Sequence, residues 1–343
     1  MSSHWSSLAY AFGTPNVRGT LRQRVEDFIV EEQLGFEPQG EGQHVWLWIE
    51  KRERNTRDIA MQLARHAGIR ASDVGYSGLK DRRAITRQWF SLDLAGKPEP
   101  DWTEIADPQL TIVQATRHNK KLRRGVHRAN RFDITLRELQ GDTGSLPQQL
   151  EMIRQNGVPN YFAAQRFGHG EANLDQARLM FAGQRVKNRH KRSLYLSAAR
   201  SFLFNQLLSQ RVSDGSWNRA IQGDVMQLAG SHSIFVPEEI DEVITQRVKQ
   251  MDIHPTGPLW GRGDLKSDGA VKVMETQLAS DYPDYCAGLE QAGLKQERRS
   301  LRLPLRQFES SLQGPTLHLA FELEAGAYAT SVIRECVDVA AED

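Results

Sequence analysis

Cysteine is nearly absent: Cys286 and Cys336 are the two in 343 residues, and neither has a partner at metal-ligand spacing. That excludes a disulfide scaffold and points to a reducing compartment. No apolar run approaches the roughly 20 residues that span a bilayer, so no membrane partner is expected. The opening "MSSHWSSLAYAFGTPNVRG" lacks the basic-then-apolar layout of a signal peptide. A cytoplasmic protein is the expectation. Also missing are GxxxxGK[ST], GxGxxG after a strand, HExxH, CxxC and GxSxG. Nothing asks for a metal or a nucleotide cofactor, so none is expected. If the chain is an enzyme, its side chains act alone. An excess of one charge is missing too: 44 basic and 43 acidic residues leave a net +1. Global charge therefore names no partner.

The charge that is present is unevenly spread. Between Asp107 and Asp133 there is no acid, while Arg117, Lys120, Lys121, Arg123, Arg124, Arg128 and Arg131 fall there. A second acid-free window, Gln176 to Ser213, carries Arg178, Arg185, Lys187, Arg189, Lys191, Arg192, Arg200 and Arg211. Such confined positive stretches suit a phosphate backbone, and two solvated basic faces are the plainer alternative.

With 39% hydrophobic and 25% charged residues the chain is an ordinary folded protein, long enough for two domains. "HVWLWIEKR" (44–52) alternates as a strand with both faces apolar, and "NTRDIAMQLARHAGI" (55–69) reads as a helix begun at Asn55 and stopped at Gly68. "RFDITLREL" (131–139) alternates again, and Leu317, Leu319, Phe321 and Leu323 mark a strand near the C-terminus. The middle is more helical: Leu196, Ala199, Leu203 and Leu207 form the stripe of a packed helix. "IHPTGPLWGRGD" (253–264) reads as a Gly- and Pro-rich loop. A strand-rich frame with a helical insert is the economical description, with seams near residues 156 and 304.

One stretch stands out chemically. "YSGLKDRRAITRQWFSL" (76–92) sets Asp81 among Lys80, Arg82, Arg83 and Arg87. It is either a salt bridge at a turn or an ionised nucleophile or base in a site for a polyanion. Three further stretches suit an unstacked base. Phe28 follows Asp27 downstream of Arg22 and Arg24, Asn130 and Phe132 share one face of a strand, and a Gly-containing turn presents Tyr328 at the start of a helix. Aromatic rings stack on bases and an Asn amide reads a Watson–Crick edge. The plainer readings are Phe28 and Phe132 as core, Asn130 as a turn residue and Tyr328 as a loop anchor.

Taken together, "SGLKDRRAITRQWFSL", "EDFIVEE", "RHNKKLRRGVHRANRF", "GVPNYFAAQRFG" and "AGAYATSVIRE" resemble the TruD family of tRNA pseudouridine synthases, in the right order from about residue 14 to residue 335. "KRSLYLSAARSFLFNQ" and "GDVMQLAG" resemble that family's insertion domain. The resemblance implies an α+β fold: a discontinuous catalytic domain (1–155 and 304–343) on a mixed, largely antiparallel sheet, and an inserted α/β TRUD domain (156–303). It implies an isomerase that converts uridine 13 of tRNA, tRNA-Glu in bacteria, to pseudouridine. Asp81 falls on the catalytic aspartate, Phe28, Asn130 and Phe132 fall on family residues around the target uridine, and Tyr328 falls where relatives have an aromatic residue and is expected beside the same base. Arg22 stands where relatives often have Lys near the aspartate, a departure that forks the charge and leaves its partner open. Lys80, Arg82 and Arg83 are expected to keep Asp81 ionised and to orient nearby phosphates, with Gly78 letting the loop approach the ribose. Lys120, Lys121, Arg123 and Arg124, and separately Arg189, Lys191 and Arg192, are expected on the RNA backbone. The expected partner is tRNA and the expected state a monomer. A non-catalytic RNA-binding or RNA-folding protein is the alternative, although a pure binder would not need the carboxylate. A glycosidase would want a second acid, with Asp27, Glu31 and Glu32 as candidates.

Overall fold

The computed structural model describes residues 4–94 and 96–339. The chain forms two compact units. The first comprises Asn16–Leu146, Leu305–Gly326 and the described part of Val337–Asp343. The second takes in the described part of Met1–Pro15, Pro147–Pro304 and Ala327–Cys336. Against the expected seams near 156 and 304, the contacts divide the chain at the start of the helix Leu146–Asn156 and again after Pro304. They also assign the N-terminal stretch and Ala327–Cys336 to the more helical unit.

The first unit is built on a ten-stranded sheet. Its first seven strands are β1 (Val17–Leu21), β2 (Phe28–Gln33), β3 (His44–Arg52), β4 (Val74–Tyr76), β5 (Ile85–Asp93), β6 (Leu110–His118) and β7 (Ala129–Gly141). The main path runs Arg306–Gln313, Thr316–Glu324, β7, β2, β5, β3, β6, with β4 on β5 and β1 on β7 and Asp338–Val339. Two pairs are parallel, β2 with β5 and β1 with Asp338–Val339, and the others are antiparallel. The fold is α+β on a mixed, largely antiparallel sheet.

Alternation dictates the packing. On β3, Val45, Leu47 and Ile49 are buried with Ile59 and Leu63 of the helix Thr56–His66. Trp46 and Trp48 turn the other way, to Leu34, Trp89 and Leu122. Each such side chain is worth about 1.5–3 kcal/mol when fully buried. The helix ends as its sequence predicts: Gly68 takes φ +62°, and the Ile69 N–H returns to the Ala64 carbonyl at 2.9 Å. Centrally, β7 buries Phe132, Ile134 and Leu136, and pairs Phe132 with Phe321 across the Thr316–Glu324 strand.

The second unit packs the helices Ala172–Phe181, Arg189–Ser213, Gly269–Asp281 and Pro283–Gln291 around Leu203, Phe204 and Leu207. Buried ion pairs brace it, among them Arg211 with Asp224 at 2.8 Å and Arg298 with Glu275 at 2.8 Å. One expectation is corrected here. The stretch 253–259 is a strand, Ile253–Leu259, not a loop. Its first half pairs with Met226–Leu228 and its second with Glu297–Ser300, so Pro255 and Pro258 each face a ladder on one side. A proline lacks the donor a central strand needs, but is tolerated where only one edge is paired. Among the described residues no helix is long and apolar enough to cross a membrane.

Candidate active site

The loop between β4 and β5 carries Asp81, and three side chains beneath it grip its main chain. Gln88 Nε2 donates to the Gly78 carbonyl at 3.2 Å, Thr56 Oγ1 accepts from the Lys80 N–H at 3.0 Å, and Lys51 Nζ donates to the Asp81 carbonyl at 2.8 Å. The grip is itself linked, because Thr56 Oγ1 donates to Gln88 Oε1 at 2.9 Å. Lys51, Thr56 and Gln88 are all buried. A loop that looks like a flexible Gly-containing turn in the sequence is therefore held at three backbone groups between residues 78 and 81. A Cβ at Gly78 would meet only His127 Cε1, at 3.5 Å, so that glycine is not forced by crowding. Gly75 is: a Cβ there would stand 2.3 Å from the Leu122 carbonyl oxygen.

The Asp81 carboxylate points outward, with 47% of the side chain exposed. Its ion-pair partner is Arg22, Nη2 to Oδ2 at 3.3 Å, rather than the flanking Lys80, Arg82 or Arg83. Arg22 sits at the corner between β1 and β2 in the left-handed region, φ +56°. For a non-glycine residue that conformation is uncommon and worth noticing. The corner is fixed by Asp27, buried, whose carboxylate accepts from the Arg24 N–H at 2.8 Å and from Arg137 Nε at 2.8 Å. The result lays the Arg22 guanidinium over the Phe28 ring, 4.0 Å from its centroid. Phe28 stands edge-on to Phe132 at 6.2 Å, and Phe132 lies 5.6 Å from Phe321. Phe28 and Phe132 are buried, at 2% and 7% exposure. One guanidinium thus joins the accessible carboxylate to the top of an aromatic column.

Beside that column lies a second network. Lys80 Nζ pairs with Glu32 at 3.1 Å and also donates to Asn130 Oδ1. Glu32 is buried, accepts from Ser77 Oγ, and takes the Trp89 N–H at 3.3 Å. Desolvation pushes the Lys80 pKa down, against the opposing pull of Glu32. Burial and the Lys80 charge likewise hold His127, next to Asn130, below the ordinary histidine range. Asn130 and Phe132 occupy alternate positions on β7, across from Glu32 and Val30 of β2. So Lys80 faces inward, orienting the Asn130 amide, and leaves Asp81 to Arg22.

The acids weighed as partners for Asp81 are engaged elsewhere. Asp27 is taken by Arg137, Glu31 by Arg87, and Glu32 by Lys80. Lys120, Arg123 and Arg124 are exposed on the loop after β6, while Lys121 is half-buried and donates to the Ser72 carbonyl. That loop is tied to the entry of the Asp81 loop by the Gly125 N–H on the Ser77 carbonyl, 2.8 Å. Tyr328 belongs to the other unit, where its hydroxyl accepts from Arg166 Nε at 2.9 Å and its ring stands 6.2 Å from Phe162. Arg189, Lys191 and Arg192 are exposed on the first turn of the long helix there, with no acid in that turn. Other members of the acid-free windows are paired with acids: Arg211 with Asp224 in the interior, and Arg200 with Glu297 and Arg117 with Glu99 nearer the surface.

Composition and alternation point to the Asp81 loop and the two phenylalanines, but miss Lys51, Thr56, Gln88, Ser77 and the Lys80–Glu32 pair. A signal for Lys51 was present. It continues the Val45, Leu47, Ile49 face of β3, where an apolar residue is due.

Comparison with known proteins identifies the family and the fold. The profile of the family described as tRNA pseudouridine synthase D (TruD) matches residues 6–177 and 178–336. A tRNA pseudouridine synthase D of Methylococcus capsulatus is 47% identical over 336 residues, 97% of this chain and 95% of the relative. One of Nitrosococcus oceani is 48% identical over 334 residues, 96% and 93% of the two chains. The fold is shared with a solved TruD structure from Methanosarcina mazei, 22% identical, with a TM-score of 0.74 over 95% of both chains. With the family profile spanning nearly the whole chain and relatives near half identical along it, the chain belongs to the TruD family of tRNA pseudouridine synthases, which are isomerases.

Proposed function

We propose that the chain converts uridine 13 of tRNA, tRNA-Glu among its substrates, to pseudouridine, with Asp81 as the nucleophile. The observation that carries this is the Arg22 contact, which holds an accessible carboxylate at the top of the Phe28 and Phe132 column. The reaction breaks the N1–C1′ bond, turns the uracil and joins C5 to C1′. The C5 proton leaves and N1 gains one, so no electrons are exchanged. Attack at C1′, attack at C6 and a glycal route all begin from one carboxylate with a cation beside it.

The target base lies within folded tRNA and must be turned out and held. Phe28 and Phe132 supply stacking area and Asn130, its amide oriented by Lys80, reads the uracil edge. Arg22 covers Phe28 in the free protein, so a base stacking there moves the guanidinium toward the phosphate backbone. Tyr328 is proposed as a further aromatic contact on its own unit. Lys120, Lys121, Arg123 and Arg124 on one unit, and Arg189, Lys191 and Arg192 on the other, take the backbone phosphates. A monomer acting in the cytoplasm is consistent with all of this.

The test is to incubate the protein with unmodified tRNA-Glu transcript and map carbodiimide-adduct stops by primer extension. A new stop reporting position 13 is expected. A stop at another uridine, or none, overturns the assignment.

A further inference from the structure

Buried lysines are uncommon because an ammonium in the interior loses its hydration, and a long side chain ordinarily carries the charge out to water. Lys51 does not. It is 0% exposed, near the end of β3. The face it shares grades from apolar to polar: Val45 pairs across β5 with Leu92, Leu47 with Phe90, Ile49 with Gln88, and Lys51 with Thr86. Across β6, Lys51 faces Leu110. The polar end of this face is the floor under the Asp81 loop. There Lys51, Gln88 and Thr56 each hold a main-chain group of residues 78–81. Among the described residues the Asp81 carbonyl is the one acceptor that Lys51 Nζ meets, at 2.8 Å, and no carboxylate forms an ion pair with it.

This arrangement is expensive for the fold. Burial pushes the Lys51 pKa down to about 8, aided by the nearby Lys80 charge and opposed by Asp81. An apolar residue of similar length would suit the strand better. A charge retained at such cost, aimed at the peptide that carries the acid, acts on the acid.

We propose that Lys51 is a positioning residue for the reaction: its buried ammonium pins the main chain at Asp81 and so fixes the carboxylate against the ribose. The inference rests on Asp81 being the nucleophile. Loss of the pin lets the loop shift, and misplacement of a reacting group by about 1 Å costs roughly 10²-fold in rate. The pin is strongest while the amine is charged. A lysine whose folded pKa lies below its unfolded value is protonated in the fold below about pH 8 and neutral above it.

The experiment measures Lys51→Met with tRNA-Glu transcript under single-turnover conditions, from pH 7 to pH 9, alongside thermal melting. At pH 7 the rate constant should fall roughly 10²-fold, with tRNA half-saturation unchanged within about twofold and the melting temperature equal or higher. The wild-type rate should decline on an alkaline limb that the variant lacks. A rate constant and pH profile like wild type would overturn the proposal. So would a loss that tracks a lower melting temperature, or one confined to half-saturation. If Lys51→Met does not fold, Lys51→Gln carries the same measurements, and failure of both to fold assigns Lys51 to the scaffold and overturns the inference. Asp81→Asn run in parallel separates the two ideas. An active Asn variant removes the nucleophile assignment, whereas an inactive one beside a wild-type-like Lys51→Met removes Lys51 alone.

Discussion

Phe132 is only 7% exposed and packed between Phe28 and Phe321, yet it is proposed to stack on a flipped uracil. The two roles predict different numbers. As core, Phe132→Ala removes a ring from a filled space and costs about 3–5 kcal/mol of stability. As a stacking platform, the ring is worth about 1–3 kcal/mol to the bound base, or roughly 5- to 150-fold in turnover. Alanine confounds the two, because both losses occur together. Phe132→Leu separates them. Leucine keeps most of the buried apolar area and costs about 1.5 kcal/mol or less in stability, but it has no π face. The assay is tritium release from uracil C5 in labelled tRNA, at single turnover, with binding and thermal melting measured on the same preparation. Phe132→Leu should melt close to wild type, bind tRNA normally and lose most of the rate that Phe132→Ala loses. A leucine variant that turns over within about twofold of wild type would show that the ring serves the core alone.

Neutralising Lys120, Lys121, Arg123 and Arg124 together should weaken tRNA binding and flatten its dependence on log salt, and the same holds separately for Arg189, Lys191 and Arg192. An unchanged salt slope in either set removes that set from the footprint. Glu335 is buried and desolvation lifts its carboxyl to about 7, above its usual 4.5. The folded state therefore holds this proton more tightly than the unfolded chain, and the associated stability is full below about pH 4.5 and lost as pH rises through about 7. Relative to Glu335→Gln, the wild type should lose stability in urea melts as pH climbs from 5 to 8, and parallel curves would refute the sign.

Fold and site were legible to different depths. Period-two alternation gave β3, β7 and the Thr316–Glu324 strand, because those strands bury side chains at regular intervals. The strand Ile253–Leu259 was not legible, since its two prolines signal a break and only the split pairing on either side admits them. The Asp81 loop was visible as an odd acid among bases; local charge pointed to the neighbours as its counter-ions, and only the family resemblance put Arg22 near it. Sequence proximity is a poor guide there: Lys80 points to Glu32, while Arg22 arrives from a distant corner set by its positive φ. The basic windows were real along the chain but only partly so in space: Lys120, Arg123, Arg124, Arg189, Lys191 and Arg192 are exposed, while other members are paired. Arg211 and Arg200 find acids, Asp224 and Glu297, that lie outside their window in sequence and beside them in the fold.

The most direct test of the account is Asp81→Asn on tRNA-Glu transcript, scored by tritium release at single turnover. The substitution keeps the size of the side chain and the main-chain bond to Lys51, while removing the charge that Arg22 pairs with. Half of the carboxylate is exposed, so a purely structural role would cost under about 1 kcal/mol and leave activity intact. The account predicts no detectable pseudouridine, with melting temperature and tRNA affinity close to wild type. Turnover near the wild-type rate, in a preparation shown by mass spectrometry to be free of deamidated protein, would contradict it.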